Sequence, residues 1–362
     1  MRKHRLRRVV ALLLLIAGIG TQTGCWDNKD INHRSLPVVM GISKTEDLYT
    51  VVLQIPEPSQ NSNMGTDFRF VQSTGSTINE IVDRIGANME TQMDLLHLKV
   101  ILIEQGYAEE GINDAVSAFM RTNVISPRTM AVICDEPIEH FFSKIKRYSQ
   151  NNGTILEDFF QFNAGWSPQV AQSRMWELFR SIHSYTHDEA IPIIKSGSGT
   201  VIETRGSGII RNGKMVGRLS ANETLLANIF NGLDVKGKIE VMNSATVQIV
   251  GNRIRNKSSM EDGIPVLRSS IHLKVTLLEM KGNPTKEQIK EQLQANLEER
   301  LNSVLRKMKA DQADILGLGQ LFRNKLTRDQ LQAWRTDYLP HLKTDITFEV
   351  SIESEGDLKM GA

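Results

Sequence analysis

Apolar residues recur along this chain with two periods, and the places where one gives way to the other mark its elements. Leu36–Ile42 and Leu48–Ile55 are strand-length apolar runs on either side of the polar stretch Ser43-Lys44-Thr45-Glu46-Asp47, which predicts a hairpin. Pro56-Glu57-Pro58 should end the second strand, Gln60–Asp67 reads as a polar loop, and Phe68–Ser73 reads as a further strand. Thr77-Ile78-Asn79-Glu80 has the spacing of a capping box, and Ile78, Ile81, Val82 and Ile85 then share one helical face. Leu98–Ile103 and Thr129–Cys134 are almost continuously apolar, as strands covered on both faces are. Between them Ile112, Val116 and Phe119 return to helical spacing. Strand, helix, strand at these lengths predicts a βαβ crossover with parallel strands.

From Pro137 to about Ser184 the pattern is mostly helical, and Ala190–Ile194 is strand-like. Ser196-Gly197-Ser198-Gly199-Thr200 reads as a flexible connector. It is not a phosphate loop, because Val201-Ile202 follows where a helix N-terminus would be needed. From Arg205 onward the signals change. Asn212-Gly213 between Gly208–Arg211 and Lys214–Gly217 is a strong hairpin signal. Ser220-Ala221-Asn222-Glu223 is a capping box for a helix through Phe230, stopped by Asn231-Gly232. Ser270–Met280 alternates with Ile271, Leu273, Val275 and Leu277 on one face, and Asp345–Ile352 alternates with Ile346, Phe348, Val350 and Ile352. Both read as antiparallel strands with one wet face. Between them Thr285 caps a long helix with Ile289, Leu293, Leu297, Leu301, Leu305 and Met308 in one stripe. The steps are mostly of four residues, which favours packing on a sheet over a coiled coil. The expected fold is α/β in the α+β sense and multi-domain. An N-terminal mixed sheet with βαβ units would occupy 26–204, with subdomains of about 26–136 and 137–204. A C-terminal antiparallel sheet packed with the long helix would occupy 205–362.

The first 27 residues follow a different rule. Arg2, Lys3, Arg5, Arg7 and Arg8 precede an apolar run from Val9 to Gly20, and Gly24-Cys25 comes just after it. That is the pattern of an export signal over 1–24. The run covers roughly 18 Å as a helix, against a hydrocarbon core of about 30 Å, so it is too short to span. Gly24 supplies the small residue before a cut and Cys25 the sulfur to be alkylated by a diacylglyceryl group. Gln22 stands where bacterial lipoproteins usually carry Leu. An uncleaved N-terminal anchor helix is the competing reading.

Charge narrows the choice of partner. The chain has 43 Lys+Arg against 42 Asp+Glu, and loss of 1–24 removes five basic residues, leaving a net charge near −4. No basic excess points to nucleic acid. Of the two cysteines, Cys134 sits in the apolar run Met130–Cys134, where a thiol behaves as a small buried hydrophobe. No nucleophile elbow, HExxH, Walker loop or zinc spacing occurs. Glu104, Glu109 and Glu110 after the Leu98–Ile103 strand would repel a phosphate. His97 and His272 fall within strand patterns, and Glu298-Glu299-Arg300 reads as a solvated helix face. No catalytic residue, cofactor site or metal site can be assembled, so an enzyme is not expected.

Several stretches together resemble one family. Gly24-Cys25-Trp26-Asp27 followed by Val38-Val39-Met40-Gly41-Ile42 resembles the start of the Ger(x)C proteins. Gly206-Ser207-Gly208-Ile209-Ile210 with Asn212–Gly217 resembles the opening of their C-terminal domain. Asp314-Ile315-Leu316-Gly317-Leu318-Gly319, Trp334 and the last alternating strand also fit, so the resemblance runs through the chain. It implies a non-enzymatic C subunit of a spore germinant receptor, anchored by acylated Cys25 on the outer face of the inner spore membrane. Such a subunit would work with two integral membrane subunits. The alternative is the solute-binding lipoprotein of an ABC transporter, which needs two similar doubly wound lobes.

Overall fold

A computed structural model describes residues 34–57, 67–148, 155–160 and 166–354. The signal segment 1–24, the Gly24-Cys25 step and the loop residues 60–66 lie outside the described residues.

The first hairpin forms where the pattern puts it. Strand β1 (Val39–Thr45) pairs antiparallel with β2 (Leu48–Glu57), from Val39↔Gln54 to Thr45↔Leu48. Glu46 takes the turn with φ 55°. Strand β3 (Asp67–Gly75) continues antiparallel on the far side of β2. Helix α1 (Ile78–Ala87) buries Ile78, Ile81 and Ile85. Its start departs from a full capping box. The Thr77 hydroxyl accepts from Glu80 N as expected, but the Glu80 carboxylate reaches one residue further back, accepting from Ser76 N at 3.1 Å and Ser76 Oγ at 2.8 Å.

The parallel centre follows. Strand β4 (Val100–Glu104) lies beside β1, and β5 (Met130–Cys134) lies beside β4, both parallel. Helices α2 (Gln105–Glu110) and α3 (Asn113–Thr122) make the crossover, with Val116 and Phe119 buried. Helices α4 (Ile138–Tyr148), α5 (Ile155–Phe160) and α6 (Met175–Ile182) precede β6 (Glu189–Ser196), which is parallel to β5. Strands β7 (Ile202–Arg211) and β8 (Lys214–Leu219) then add antiparallel, joined by Asn212 at φ 49° and Gly213 at φ 73°. The result is one eight-stranded sheet of order β8-β7-β6-β5-β4-β1-β2-β3. Position 205 lies inside β7, a strand of this first sheet. The Ser196–Thr200 stretch closes a hairpin between neighbouring strands, with Gly197 N donating to Val201 O at 3.1 Å.

Helix α7 (Ala221–Phe230) follows with its capping box complete, and leads to a four-stranded sheet. Its order is β9 (Ile239–Val241), β10 (Ala245–Glu261), β11 (Ile264–Met280) and β12 (Lys343–Ser354). Strands β10 and β11 are a long hairpin turned by Asp262 and Gly263, at φ 51° and 79°. Positive φ at both turn residues is the geometry whose twist matches the strands. Helix α8 (Lys286–Ala310), capped by Thr285, buries the whole expected stripe from Ile289 to Met308.

One pairing differs from expectation. Strand β12 runs parallel to β11, with Ile271↔Phe348 and Leu273↔Val350 in register, so the sheet is not wholly antiparallel. The cause is the connection. Residues 281–342 carry the chain back along α8, so the second strand starts at the same end as the first. Alternation reports one covered face and is blind to direction. A single core joins Ile209 and Leu219 of the first sheet to α7, α8 and the inner face of the second.

Candidate functional site

The titratable residues singled out in the sequence do not converge. Gly24 and Cys25 lie outside the described residues. Cys134 is a fully buried free thiol in β5, and burial pushes its pKa up to about 12, so it is inert as a nucleophile. His97 is not in a strand. It is exposed at the end of a 3₁₀ turn over Leu95–His97, which starts where Asp94 accepts from Leu96 N. His272 lies on the wet face of β11, its Nδ1 3.0 Å from Glu349 Oε2 on β12. Glu104 caps α4, accepting from Ile138 N at 3.0 Å, and Glu110 pairs with Lys44 at 3.2 Å. Glu298 and Glu299 are exposed as expected, but Arg300 turns inward and pairs with the buried Glu240 at 2.9 Å. Among the described residues, no three His, Cys, Asp or Glu side chains gather as metal ligands would.

The polar side chains that do converge are Asp188, Asp314, Trp334 and Arg335. Asp188, Asp314 and Trp334 are fully buried, and Arg335 nearly so. After α8 the chain turns sharply at Asp314, and the carboxylate holds the turn. Asp314 Oδ1 accepts from Leu318 N at 2.8 Å, and Oδ2 accepts from Gly319 N at 2.6 Å and from Trp334 Nε1 at 2.8 Å. The Gly317-Leu318-Gly319 spacing now has a reason. Gly317 sits in the left-handed region at φ 63°, and a Cβ there would also meet His187 Nδ1 at 2.5 Å. A Cβ on Gly319 would meet the Trp334 ring at 2.7 Å and Thr186 Cβ at 2.8 Å. Trp334 is in turn flanked by the rings of Phe322 and Tyr338.

Asp188 arrives from the segment just before β6. Its backbone N donates to Asp314 O at 2.9 Å, and Asp314 N donates back to Asp188 Oδ2 at 2.7 Å. Arg335 closes the network. Nε donates to Asp188 Oδ2 at 2.8 Å and Nη2 to Asp188 Oδ1 at 2.7 Å, a bidentate pair, while Nη2 also donates to Ser184 O at 2.6 Å. Burial raises the pKa of Asp188 against the pull of Arg335. Burial likewise pushes Asp314 up to about 6, against the N–H donors of Gly319 and Leu318. Next to them, burial would lower the pKa of His187, but the Glu189 carboxylate 3.6 Å away prevails and raises it. Burial raises Glu189 as well.

This cluster has no nucleophile and its acceptors are filled by N–H donors. Its chemistry is that of a fastener joining residues 184–189 to 314–335. Two more ties act beside it. Glu223 of α7 accepts from Lys307 Nζ at 2.7 Å and Ser303 Oγ at 2.7 Å of α8. Burial opposes ionisation of Glu223, yet these donors and Ser220 hold its pKa below the usual range. Arg211 Nη1 donates to Asp311 O at 2.6 Å.

Over the fastener opens a cleft of about 990 Å³. Arg180, His183 and His187 line one side, Arg323 and Arg328 the other, with Phe179, Tyr185, Thr186 and Gln320 between. Neither Asp188 nor Arg335 stood out in the sequence. The run Thr186-His187-Asp188-Glu189, four polar residues leading straight into an apolar strand, was the one available signal. Asp314 and Trp334 entered only as parts of a family resemblance.

Two family models match the chain in succession. A model described as the spore germination protein N-terminal domain matches residues 27–196. A second, described as spore germination B3/GerAC like, C-terminal, matches residues 205–356. Spore germination protein KC of Bacillus subtilis (strain 168) is 19% identical, with 97% of this chain and 96% of that protein covered. Spore germination protein B3 of the same organism is 26% identical over 71% of each. YfkR, also named there for spore germination, is 28% identical over 121 residues, which span 30% of its length. The crystal structure of the GerBC protein superposes with a TM-score of 0.54 at 17% identity, covering 86% of this chain and 96% of that one. The two family models account for most of the sequence in order, and the chain belongs to the spore germination B3/GerAC-like family.

Proposed function

We propose that this protein is the lipid-anchored C subunit of a nutrient germinant receptor in a spore-forming bacterium. It sits on the outer face of the inner spore membrane and works through contacts with two integral membrane subunits. It carries out no reaction of its own. The observation that supports this most is the ordered match of both spore germination models, over 27–196 and 205–356. Among the described residues no helix is long and apolar enough to cross a membrane. The proposed attachment is Cys25, exposed as the mature N-terminus by cleavage after Gly24 and carrying a diacylglyceryl group. Two acyl chains give stable anchoring where one does not.

The fold disfavours the transporter alternative. A solute-binding lipoprotein needs two similar lobes, whereas here an eight-stranded mixed sheet is followed by a four-stranded sheet built on one long hairpin. The lipid anchor is tested at Cys25. Cys25→Ala should leave an uncleaved, unlipidated precursor and reduce germination in response to nutrients. Mass spectrometry of the mature N-terminus that found Cys25 unmodified would refute the anchor.

A further inference from the structure

The cleft over the Asp188–Arg335 fastener gathers positive charge from three separate segments. Arg180 comes from α6, Arg323 from the turn after the 3₁₀ helix Leu318–Phe322, and Arg328 from the start of α9 (Arg328–Gln332). His183 and His187 also line it, and no Asp or Glu does. Arg323 and Arg328 are exposed and make no ion pair among the described residues. Arg180 is held over the Trp176 ring, 4.9 Å from its centroid, and Arg323 Nη1 donates to Gln320 Oε1 at 3.3 Å. Composition does not force this excess, since the chain is balanced at 43 basic against 42 acidic residues.

We propose that this cleft binds a small dianion, of the polycarboxylate or phosphate-ester class. Guanidinium groups repel one another when they face a common space, and a dianion is the ligand that turns the repulsion into attraction. At about 990 Å³ the cleft has the volume of a small-molecule site, and Phe179 and Tyr185 offer apolar surface to the body of a ligand. Its walls are preorganised. The Asp188–Arg335 pair and the Thr186–Gln320 hydrogen bond of 2.5 Å fix the strand-side segment against the segment that carries Arg323 and Arg328. Walls held in place before binding lose less freedom when the ligand enters.

Titration calorimetry on the full-length protein in detergent, at fixed ionic strength, tests this. Succinate and inorganic phosphate are the two probes, with neutral succinamide as the control. One site should take up a dianion and not succinamide. Heat from succinate alone would assign the polycarboxylate class, and heat from phosphate alone the phosphate-ester class. Arg323→Gln with Arg328→Gln should weaken binding by about tenfold or more, the usual loss for charge-assisted hydrogen bonds. Both residues are exposed and neither is a partner in the Asp188–Asp314–Trp334–Arg335 network, so the thermal midpoint without ligand should not move. Arg180→Gln, on the opposite wall, should weaken binding in the same direction. Absence of binding by both dianions at millimolar concentration would overturn the proposal. So would equal binding by the wild type and the double variant. Either result would leave the anchor at Cys25, tested separately, untouched.

Discussion

At the residue scale one buried arrangement, Asp188 with Arg335, Asp314 and Trp334, makes sharp demands. Arg335→Met would leave the Asp188 carboxylate buried without its bidentate partner. Removing one member of a buried pair costs about 3–5 kcal/mol, a large part of a domain's stability. Urea denaturation should show the midpoint falling accordingly. Gly319→Ala should also destabilise, because the new methyl would push into the Trp334 ring and loosen its bond to Asp314. Urea denaturation of this variant checks the loss. The same cluster sets a pH dependence of definite sign. Asp188, Asp314 and His187 all bind protons more tightly folded than unfolded. A group whose folded pKa is raised contributes more stability at low pH and loses it as pH rises through the folded value. For Asp314 that window runs from its ordinary 3.8 to about 6. Denaturation across this range should therefore show the wild type losing stability, relative to Asp314→Asn, as pH rises. The asparagine variant should be the less stable of the two at every pH, since its amide places a donor against N–H groups.

At the element scale the decisive helix is α8. Leu297 is fully buried in its stripe, so Leu297→Asp should abolish folding, by leaving a carboxylate in the core at a cost of several kcal/mol. Glu298→Ala, one residue along on the exposed face, should be near neutral, and circular dichroism of the pair checks both. Elements were legible where the information is local. The Asn212-Gly213 turn, the box at Ser220, the Thr285 cap and the apolar stripe of α8 all declare themselves locally. Strand β10 was missed although Asp262-Gly263 marks its turn, because its second half carries Arg253, Arg255 and Lys257 and lacks an apolar rhythm. The direction of β12 could not be read, since parallel and antiparallel strands with one covered face alternate alike. The fastener was the least legible feature. Arg335 and Asp188 are 147 residues apart, and nothing in either neighbourhood names the other.

At the scale of the whole molecule, the described residues join an eight-stranded and a four-stranded sheet through a common apolar core and through polar ties that include Asp188 with Arg335 and Asp314, Glu223 with Lys307, and Arg211 with Asp311. Such a body holds surfaces in fixed relation and suits a subunit that acts by contact. Replacing single exposed polar residues should then give graded losses of assembly, with no abrupt loss of a chemical step. The most direct measurement is affinity purification of the tagged protein from spore membranes, with mass spectrometry of what comes with it. Two polytopic membrane proteins should co-purify in constant ratio with the wild type and be lost with Leu297→Asp. Recovery of the folded, membrane-bound protein without any polytopic partner would contradict the account.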